Sequence, residues 1–532
     1  MKNTVFHETV PDWGEKIAAS LLMCSQLLIS AMPSNAIATV TSFLGDEKDT
    51  IQFIYYGGVV ATGAAYPLVG RLSRYFTKRQ LLLSVVSLEL IFLLLSVFTV
   101  NSLQLFICNF LLSSFKMIGL ITCIGIFLRK FNPSNSRGLF YGIYYAISNS
   151  IAQLYAYWVA IILQTYSWKY TFLISLPAIL ISLLIILFLL HPRRTERKYP
   201  LYQVDWLGYL LFVASSLCLA FVCIFGERLE WLGNPLICQV LGATVIGYTL
   251  WVTRMLTARR PYVNIGVLKK YKHVMVGVSF MVLLFFVYNT TSISTEFMKV
   301  SLGYDDRYIA AANLYQIIGF VIFIPLTGYW LHKVNRARET LFIGFSLFSV
   351  YYLYTAWNFY PEENAYFFFI PMMLRGAAYG ISITSLSYYS SMNIPSADNT
   401  NRAFASINIR SVISAPVTAA FWLDCFNYFK QRQYDIVSAQ YTMDDGRVSG
   451  IWKGLVSSHL KSGSGVEQAE QLARGAMHQM IYKEALITSI QNIHYLLAGI
   501  SILLALVVLG LKIFNIHYIK EKNKYPLTYV DL

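Results

Sequence analysis

Charge is what this sequence has least of: only 13% of its 532 residues are Asp, Glu, Lys or Arg. A soluble domain carries roughly 25% charged residues to cover its surface, so a water-soluble globule is excluded. Acids are the scarcer sign, 27 against 42 bases, which leaves a formal charge of +15. Cysteine is sparse as well. Cys24, Cys108, Cys123, Cys218, Cys223, Cys238 and Cys425 lie mostly within apolar runs and share no metal-ligand spacing, so they read as small buried hydrophobes and no metal is expected. No G-x-x-x-x-G-K-[ST] loop occurs, so an ATP-driven pump is not expected, and H-E-x-x-H, paired-Cys and G-x-S-x-G patterns are missing, so no enzyme is expected. The polar start, MKNTVFHETVPDWGEK, lacks a small-residue cleavage site, so the first apolar run is expected to stay as an anchor.

What the chain has in abundance is apolar length. Stretches such as 80–100 and 171–190 reach the ~20 residues that a bilayer-spanning helix needs, and the whole chain is 56% hydrophobic. Runs of this kind number about fourteen. They fall near 17–39, 52–72, 80–100, 103–128, 138–163, 169–190, 205–225, 235–256, 272–296, 308–332, 339–358, 364–388, 402–424 and 492–516. The loops between them alternate in sign. Arg71, Arg74, Lys78 and Arg79 follow the second span, whereas Asp46, Glu47 and Asp49 follow the first. Later loops keep the rhythm: Arg129, Lys130 and Arg137, then Arg254, Arg259 and Arg260, against Glu227 and Glu230, then Asp305 and Asp306. This is the positive-inside pattern of a multi-pass membrane protein with both termini cytoplasmic, and it accounts for the net charge without nucleic acid.

Two segments break the rhythm, a basic connector at 191–204 and a polar stretch at 428–490. Within the second, SSHLKSGSG reads as loop and VEQAEQLARGAMHQMIYKEALITSI as helix; a cover for the outer mouth, a partner surface and a plain return linker all fit. Residues 67–70 read PLVG and residues 325–328 read PLTG, each closing an apolar run before a basic turn. A small glycine there would let two helices approach closely, and the bases would pin the turn to the cytoplasmic side. The motifs end the second span of each set of six, so the chain divides into a bundle at 1–190, a connector with two inserted spans at 191–260, five helices of a second bundle at 261–427, an extracytoplasmic loop at 428–490 and a last span with its tail at 491–532. Parallel repeats of this kind place a site at the midplane between the halves.

The paired motif resembles the loop signature of the major facilitator superfamily, Gly-x-Leu-x-Asp-Arg-x-Gly-Arg-Lys. Its residues here are Pro67, Gly70, Arg74, Lys78 and Arg79, then Pro325, Gly328, His332 and Arg336, with Arg74 and His332 in the place of Asp. The inserted pair, opening DWLGYLLF and closing near GERLEW, is similar to the fourteen-span drug:proton antiporter branch, the EmrB/QacA type. LGYDD (302–306), LRGAAYG (374–380) and INIRSVISAPV (407–417) resemble further motifs of that branch. Three places depart from it, and at one of them Asn109 falls near the position of span four's usual Arg. Ser30 stands where span one carries an Asp, and YAYWVA (155–160) stands where antiporters have Gly-Pro-x-x-Gly-Gly. The resemblance implies an all-α major facilitator fold in a bacterial inner membrane. It also implies proton-gradient drive without a bound cofactor, a small-molecule substrate, and a periplasmic adaptor with an outer-membrane duct as partners.

A charge at the bilayer centre costs ~2.5–3.5 kcal/mol, so each one calls for a reason. Glu89 and Lys116 sit on consecutive helices at depths differing by ~3 Å and are expected to pair. Glu89, Glu296 and Lys116 are candidates for proton coupling. Asn35, Lys116, Arg375, Tyr379, Asn289 and Arg410 are candidates to line the cavity. Rings inside the spans, Tyr144, Tyr145, Tyr288 and Tyr379 among them, would suit an amphipathic, partly cationic substrate by stacking. The expected function is a proton-coupled secondary exporter of amphipathic small molecules by alternating access. An uncoupled facilitator or importer, and a non-transporting sensor or scaffold, stand as alternatives.

Overall fold

The computed structural model describes residues 5–29, 33–132, 134, 136–192, 204–359, 365–441, 445–463 and 465–514. Among these residues the chain is helical, with one isolated β-bridge from Phe6 to Leu190. The first bundle comprises α1 (Asp12–Leu28), α2 (Ile37–Leu44), α3 (Lys48–Tyr75), α4 (Lys78–Val97), α5 (Ser102–Phe131), α6 (Arg137–Thr165), α7 (Tyr170–Leu173) and α8 (Leu176–Leu189). Two inserted helices follow, α9 (Trp206–Phe225) and α10 (Pro235–Thr257). The second bundle begins with α11 (Gly266–Lys270), α12 (Lys272–Tyr288), α13 (Thr291–Glu296), α14 (Asp306–Leu314), α15 (Gln316–Lys333) and α16 (Ala337–Asn358). It ends with α17 (Phe369–Ser391), α18 (Ser396–Asn408), α19 (Ala415–Gln440), α20 (Gly446–Lys461) and α21 (Val466–Gly510). Eleven helical segments among the described residues are long and apolar enough to cross a membrane; α1, α3 and α17 complete the fourteen. Helix α17 falls short on hydropathy for a physical reason. Every residue from Arg375 to Ile394 is buried inside the protein, so no face of it needs to match lipid. By contrast, α8 and α21 leave Phe188 71% and Leu503 60% exposed along their outer faces.

The two bundles repeat the same pairings. Helix α3 packs on α5 as α15 does on α17, α4 on α5 as α16 on α17, α1 on α5 as α12 on α17, and α4 on α8 as α16 on α21. The basic turn after each Pro-Leu-x-Gly motif repeats a bond as well. Arg79 donates to the Leu187 carbonyl at 2.8 Å, near the end of α8, and Arg338 donates to the Val508 carbonyl at 3.3 Å, near the end of α21. A cation thus meets the unpaired carbonyls at the negative end of a helix dipole in both halves. The motifs themselves lie within α3 and α15, one or two turns before the helix ends, rather than closing them.

The expectation that both motif glycines allow close helix approach holds for one copy. A Cβ on Gly328 would stand 2.7 Å from the Gly138 carbonyl oxygen and 2.7 Å from the Gly142 Cα, so α15 and α6 touch backbone to backbone. A Cβ on Gly70 would meet no atom of another helix or side chain within 4 Å. The first span also differs from the continuous run expected over 17–39. Helix α1 stops at Leu28, and the chain resumes helically after Pro33, whose ring removes an N–H and restricts the residue before it.

The segment expected as an outer loop at 428–490 is largely helix. Helix α19 runs on to Gln440, α20 crosses, and α21 is one 45-residue helix from Val466 into the last span. Of SSHLKSGSG, SSHLK closes α20, leaving a short turn. Val437, Val448, Met477, Ile481 and Ala485 give this helical unit its own small apolar core.

Helix α9 packs on α3 and α19, which seats the inserted pair against the flank of the bundles. Asp205, the first residue of DWLGYLLF, anchors it. Its side chain accepts from the Gly208 amide at 3.0 Å, capping α9, and from Arg254 Nη2 at 2.7 Å near the end of α10. Burial pushes the Asp205 carboxyl up, but the bonds from Arg254 and Gly208 and the Arg254 charge outweigh it and hold the carboxyl below the usual carboxylate range. Its stabilisation is therefore present above ~pH 4 and is lost as pH falls through the lowered value. Asp205→Ala is expected to destabilise the protein by about 1 kcal/mol, the worth of a cap beside a half-exposed partner, at neutral pH. Thermal unfolding at pH 7 of the variant and parent checks this; equal midpoints would refute it.

Candidate functional site

Helix α12 breaks at Asn289–Thr290 before α13 begins. Inside a bilayer a broken helix frees carbonyls that have no water to bond, so other side chains must supply donors. They do so in order along the break. Trp422 Nε1 donates to the Phe286 carbonyl at 2.7 Å, the Tyr352 hydroxyl to the Val287 carbonyl, and Arg375 Nη2 to the Tyr288 carbonyl at 2.9 Å. Arg375 also donates to Thr291 Oγ1 at 2.6 Å and lies over the Tyr288 ring at 4.9 Å. Asn289 donates to Thr418 Oγ1 at 2.9 Å, and Tyr379 stacks on Tyr288 with centroids 4.0 Å apart. Arg375, Asn289 and Tyr379 are thus placed in the packed interior of the second bundle, holding its broken helix. Glu296 ends α13, half-buried, against the π-helical turn Phe297–Ser301. None of these four lines the cavity described next.

A cavity of about 380 Å³ lies between the bundles. Its walls come from α1, α3, α5 and α6 on one side and from α12, α17, α18 and the π-helical turn Ile409–Ser414 on the other. Lys116 projects from the centre of α5, and Arg410 from that π turn. A π turn widens the helix by one residue and re-aims side chains, a feature often found at functional sites. Tyr66, Tyr141, Tyr144 and Tyr145 supply rings to the wall. Toward the end that carries the basic loops, the halves are tied together. Arg137 donates to the Ile394 carbonyl at 2.9 Å, Arg402 to the Tyr141 hydroxyl at 2.9 Å, and Asn408 to the Gly63 carbonyl at 3.2 Å. The Gly138–Gly328 contact stands at the same end.

Glu89 is fully buried behind α5 and accepts from Gln26 Nε2 at 3.0 Å. It lies in electrostatic range of Lys116, but the two do not form the expected direct ion pair. The physical reason is rotation about α5: Lys116 faces the cavity, while Glu89 reaches α5 on the Gly119 side, where the absent side chain leaves room. The side chain of Asn35, and Ser30 entirely, lie outside the described residues.

Of the residues singled out from the sequence, the structure brings Lys116 and Arg410 together on the cavity wall. Arg137 and Arg402 join them there and were missed as site residues. Both sit at the edges of apolar runs, where a positive charge reads as an ordinary loop residue. A hint was their position one step before or at the start of a span rather than well out in a loop. Among the described residues no group of His, Cys, Asp and Glu has metal-ligand geometry.

The family model described as Major Facilitator Superfamily matches residues 18–419. The chain is 24% identical over 419 residues to the probable multidrug resistance protein EmrY of Escherichia coli K12, covering 77% of this chain and 80% of that protein. It is 22% identical over 352 residues to the multidrug export protein EmrB of the same organism, covering 64% of each. Among solved structures, an auto-inhibited POT family peptide transporter superposes with a TM-score of 0.53 at 13% identity, over 93% of this chain and 95% of that one. The tetrameric PepTSo2 superposes with a TM-score of 0.51 at 12% identity, over 95% and 98%. These likenesses speak for the fold. With two matching six-helix bundles around a shared cavity and a family model over most of its length, the chain belongs to the Major Facilitator Superfamily.

Proposed function

We propose that this protein is a secondary exporter of amphipathic small molecules, working by alternating access. The observation that carries this reading is the cavity itself. It is walled by both bundles and crossed at one end by bonds that join them, so a rocking motion of one bundle against the other would open and close it. The relatives whose names describe multidrug export and multidrug resistance support the export direction. Proton influx is the drive in this reading, and Glu89 is the carrier. It is the buried carboxylate behind the cavity wall, and its hydrogen-bond partner among the described residues, Gln26, is neutral and tolerates either charge state. The site is a bacterial inner membrane with both termini cytoplasmic, and an adaptor with an outer-membrane duct would extend the path. Such partners belong to the family resemblance and await a pull-down of the full chain.

The test is dye efflux from proteoliposomes with an imposed pH gradient. Efflux should accelerate with protons flowing inward and collapse on adding a protonophore. Glu89→Gln should retain binding but lose the response to the gradient, a fall of tenfold or more in driven flux for loss of ~1.4 kcal/mol of drive. Flux indifferent to the protonophore would favour a facilitator. No flux at all would favour a sensor or scaffold. A Glu89→Gln variant with an unchanged pH response would remove Glu89 from coupling.

A further inference from the structure

The cavity wall carries four cationic side chains, Lys116, Arg137, Arg402 and Arg410, and no Asp or Glu. For Lys116, Arg402 and Arg410 no acidic partner among the described residues cancels that charge. Arg402 donates to the Tyr141 hydroxyl, to Asn399 Oδ1 at 3.0 Å and to Ser390 Oγ at 3.3 Å, all neutral. Arg410 has a long bond to Ser411 Oγ at 3.4 Å and lies 5.7 Å from the Phe285 ring. No carboxylate among the described residues comes within ion-pair distance of Lys116, Arg402 or Arg410. Glu89 sits behind α5 in electrostatic range of Lys116 and offsets at most that one charge, leaving those of Arg402 and Arg410. A desolvated pocket with a surplus of cations binds a molecule that brings the missing negative charge, and rejects one that adds another positive charge. The stacking expectation for a cationic amphiphile therefore has the wrong sign for this wall, although the rings remain suitable.

Resting on the exporter reading, we propose that the substrate is an anionic aromatic amphiphile. Its acid group is held by Lys116 and Arg410 at mid-depth, and its rings lie against Tyr144 and Tyr145. Arg137 and Arg402 occupy the end where the halves are tied, so they attract the anion there and hand it inward. Carrying an anion out of a compartment that is negative inside runs with the membrane potential, so proton influx adds to a drive already present.

The test uses two permanently charged probes with one ring system, 2-naphthalenesulfonate and 2-naphthyltrimethylammonium, on the purified full-length protein. Binding is read in detergent by fluorescence, and transport in proteoliposomes. The sulfonate should bind and be carried, and the ammonium should do neither. Lys116→Gln and Arg410→Gln should each weaken sulfonate binding about tenfold or more, while Lys116→Arg and Arg410→Lys, which keep the charge, should stay within about threefold of the parent. The charge-keeping pair separates lost charge from lost folding. Transport of the ammonium in place of the sulfonate overturns the proposal and leaves the exporter reading standing. Sulfonate binding without transport supports the ligand class and overturns the exporter reading. Binding of neither probe, or sulfonate affinity unchanged in both Gln variants, overturns the proposal.

Discussion

Gly328→Ala is expected to cut transport by about tenfold or more, while Gly70→Ala at the matching place in the first repeat leaves it unchanged. The two residues occupy the same motif, and sequence offers no reason to separate them. The structure does. At Gly328 the new Cβ would press on the Gly138 carbonyl and the Gly142 Cα, backbone atoms that cannot rotate away. Helices α6 and α15 must then part at the end where the halves are tied. Overpacking of this kind costs about 1–3 kcal/mol, and each ~1.4 kcal/mol of bias toward the parted state is tenfold in the population of the closed one. At Gly70 the Cβ would enter open space, and within a helix an alanine there is favourable by about 0.5–1 kcal/mol. Initial flux rates in proteoliposomes, with equal protein insertion, decide the matter. Equal rates for the two variants would mean that the α6–α15 contact does not gate turnover.

Arg375→Leu is expected to destabilise the second bundle by about 2–4 kcal/mol. The guanidinium makes two bonds at the break between α12 and α13, to the Tyr288 carbonyl and the Thr291 hydroxyl, and lies against the Tyr288 ring. Bonds from a charged donor are worth about 1.5–3 kcal/mol each, and removing the desolvated charge returns part of that sum. Arg375→Lys keeps the charge but not the planar fork, so its loss should fall between leucine and the parent. Thermal unfolding of the purified variants measures the effect. A leucine variant that melts like the parent yet loses substrate affinity would return Arg375 to a role in holding cargo.

Much of the architecture was open to inspection in the residues. The span positions follow from runs of apolar side chains, because lipid solvates each helix separately and imposes its length on it. The helices overshoot those runs, as α3 does at Lys48–Tyr75 against an expected 52–72, because their polar ends continue into water. The Pro-Leu-x-Gly repeat announced two equivalent bundles, and Arg79 and Arg338 make equivalent bonds in them. The break in span nine was a different matter. Glu296 stood at the end of that run as a candidate acid, but the carbonyls freed at the break, those of Phe286, Val287 and Tyr288, are met by Trp422, Tyr352 and Arg375, donors far away along the chain. Arg137 and Arg402 were hidden in the same way: a charge beside a span looks identical whether it faces water or a cavity.

Membrane residence, the count of spans and the duplication all arise from composition within a few neighbouring residues, which acts before any two helices meet. The sign of the cavity, the unequal fates of Gly70 and Gly328, and the parting of Lys116 from Glu89 arise otherwise. They depend on how each helix is rotated against partners up to hundreds of residues away, and that rotation is settled by packing contacts that no local stretch of the chain contains.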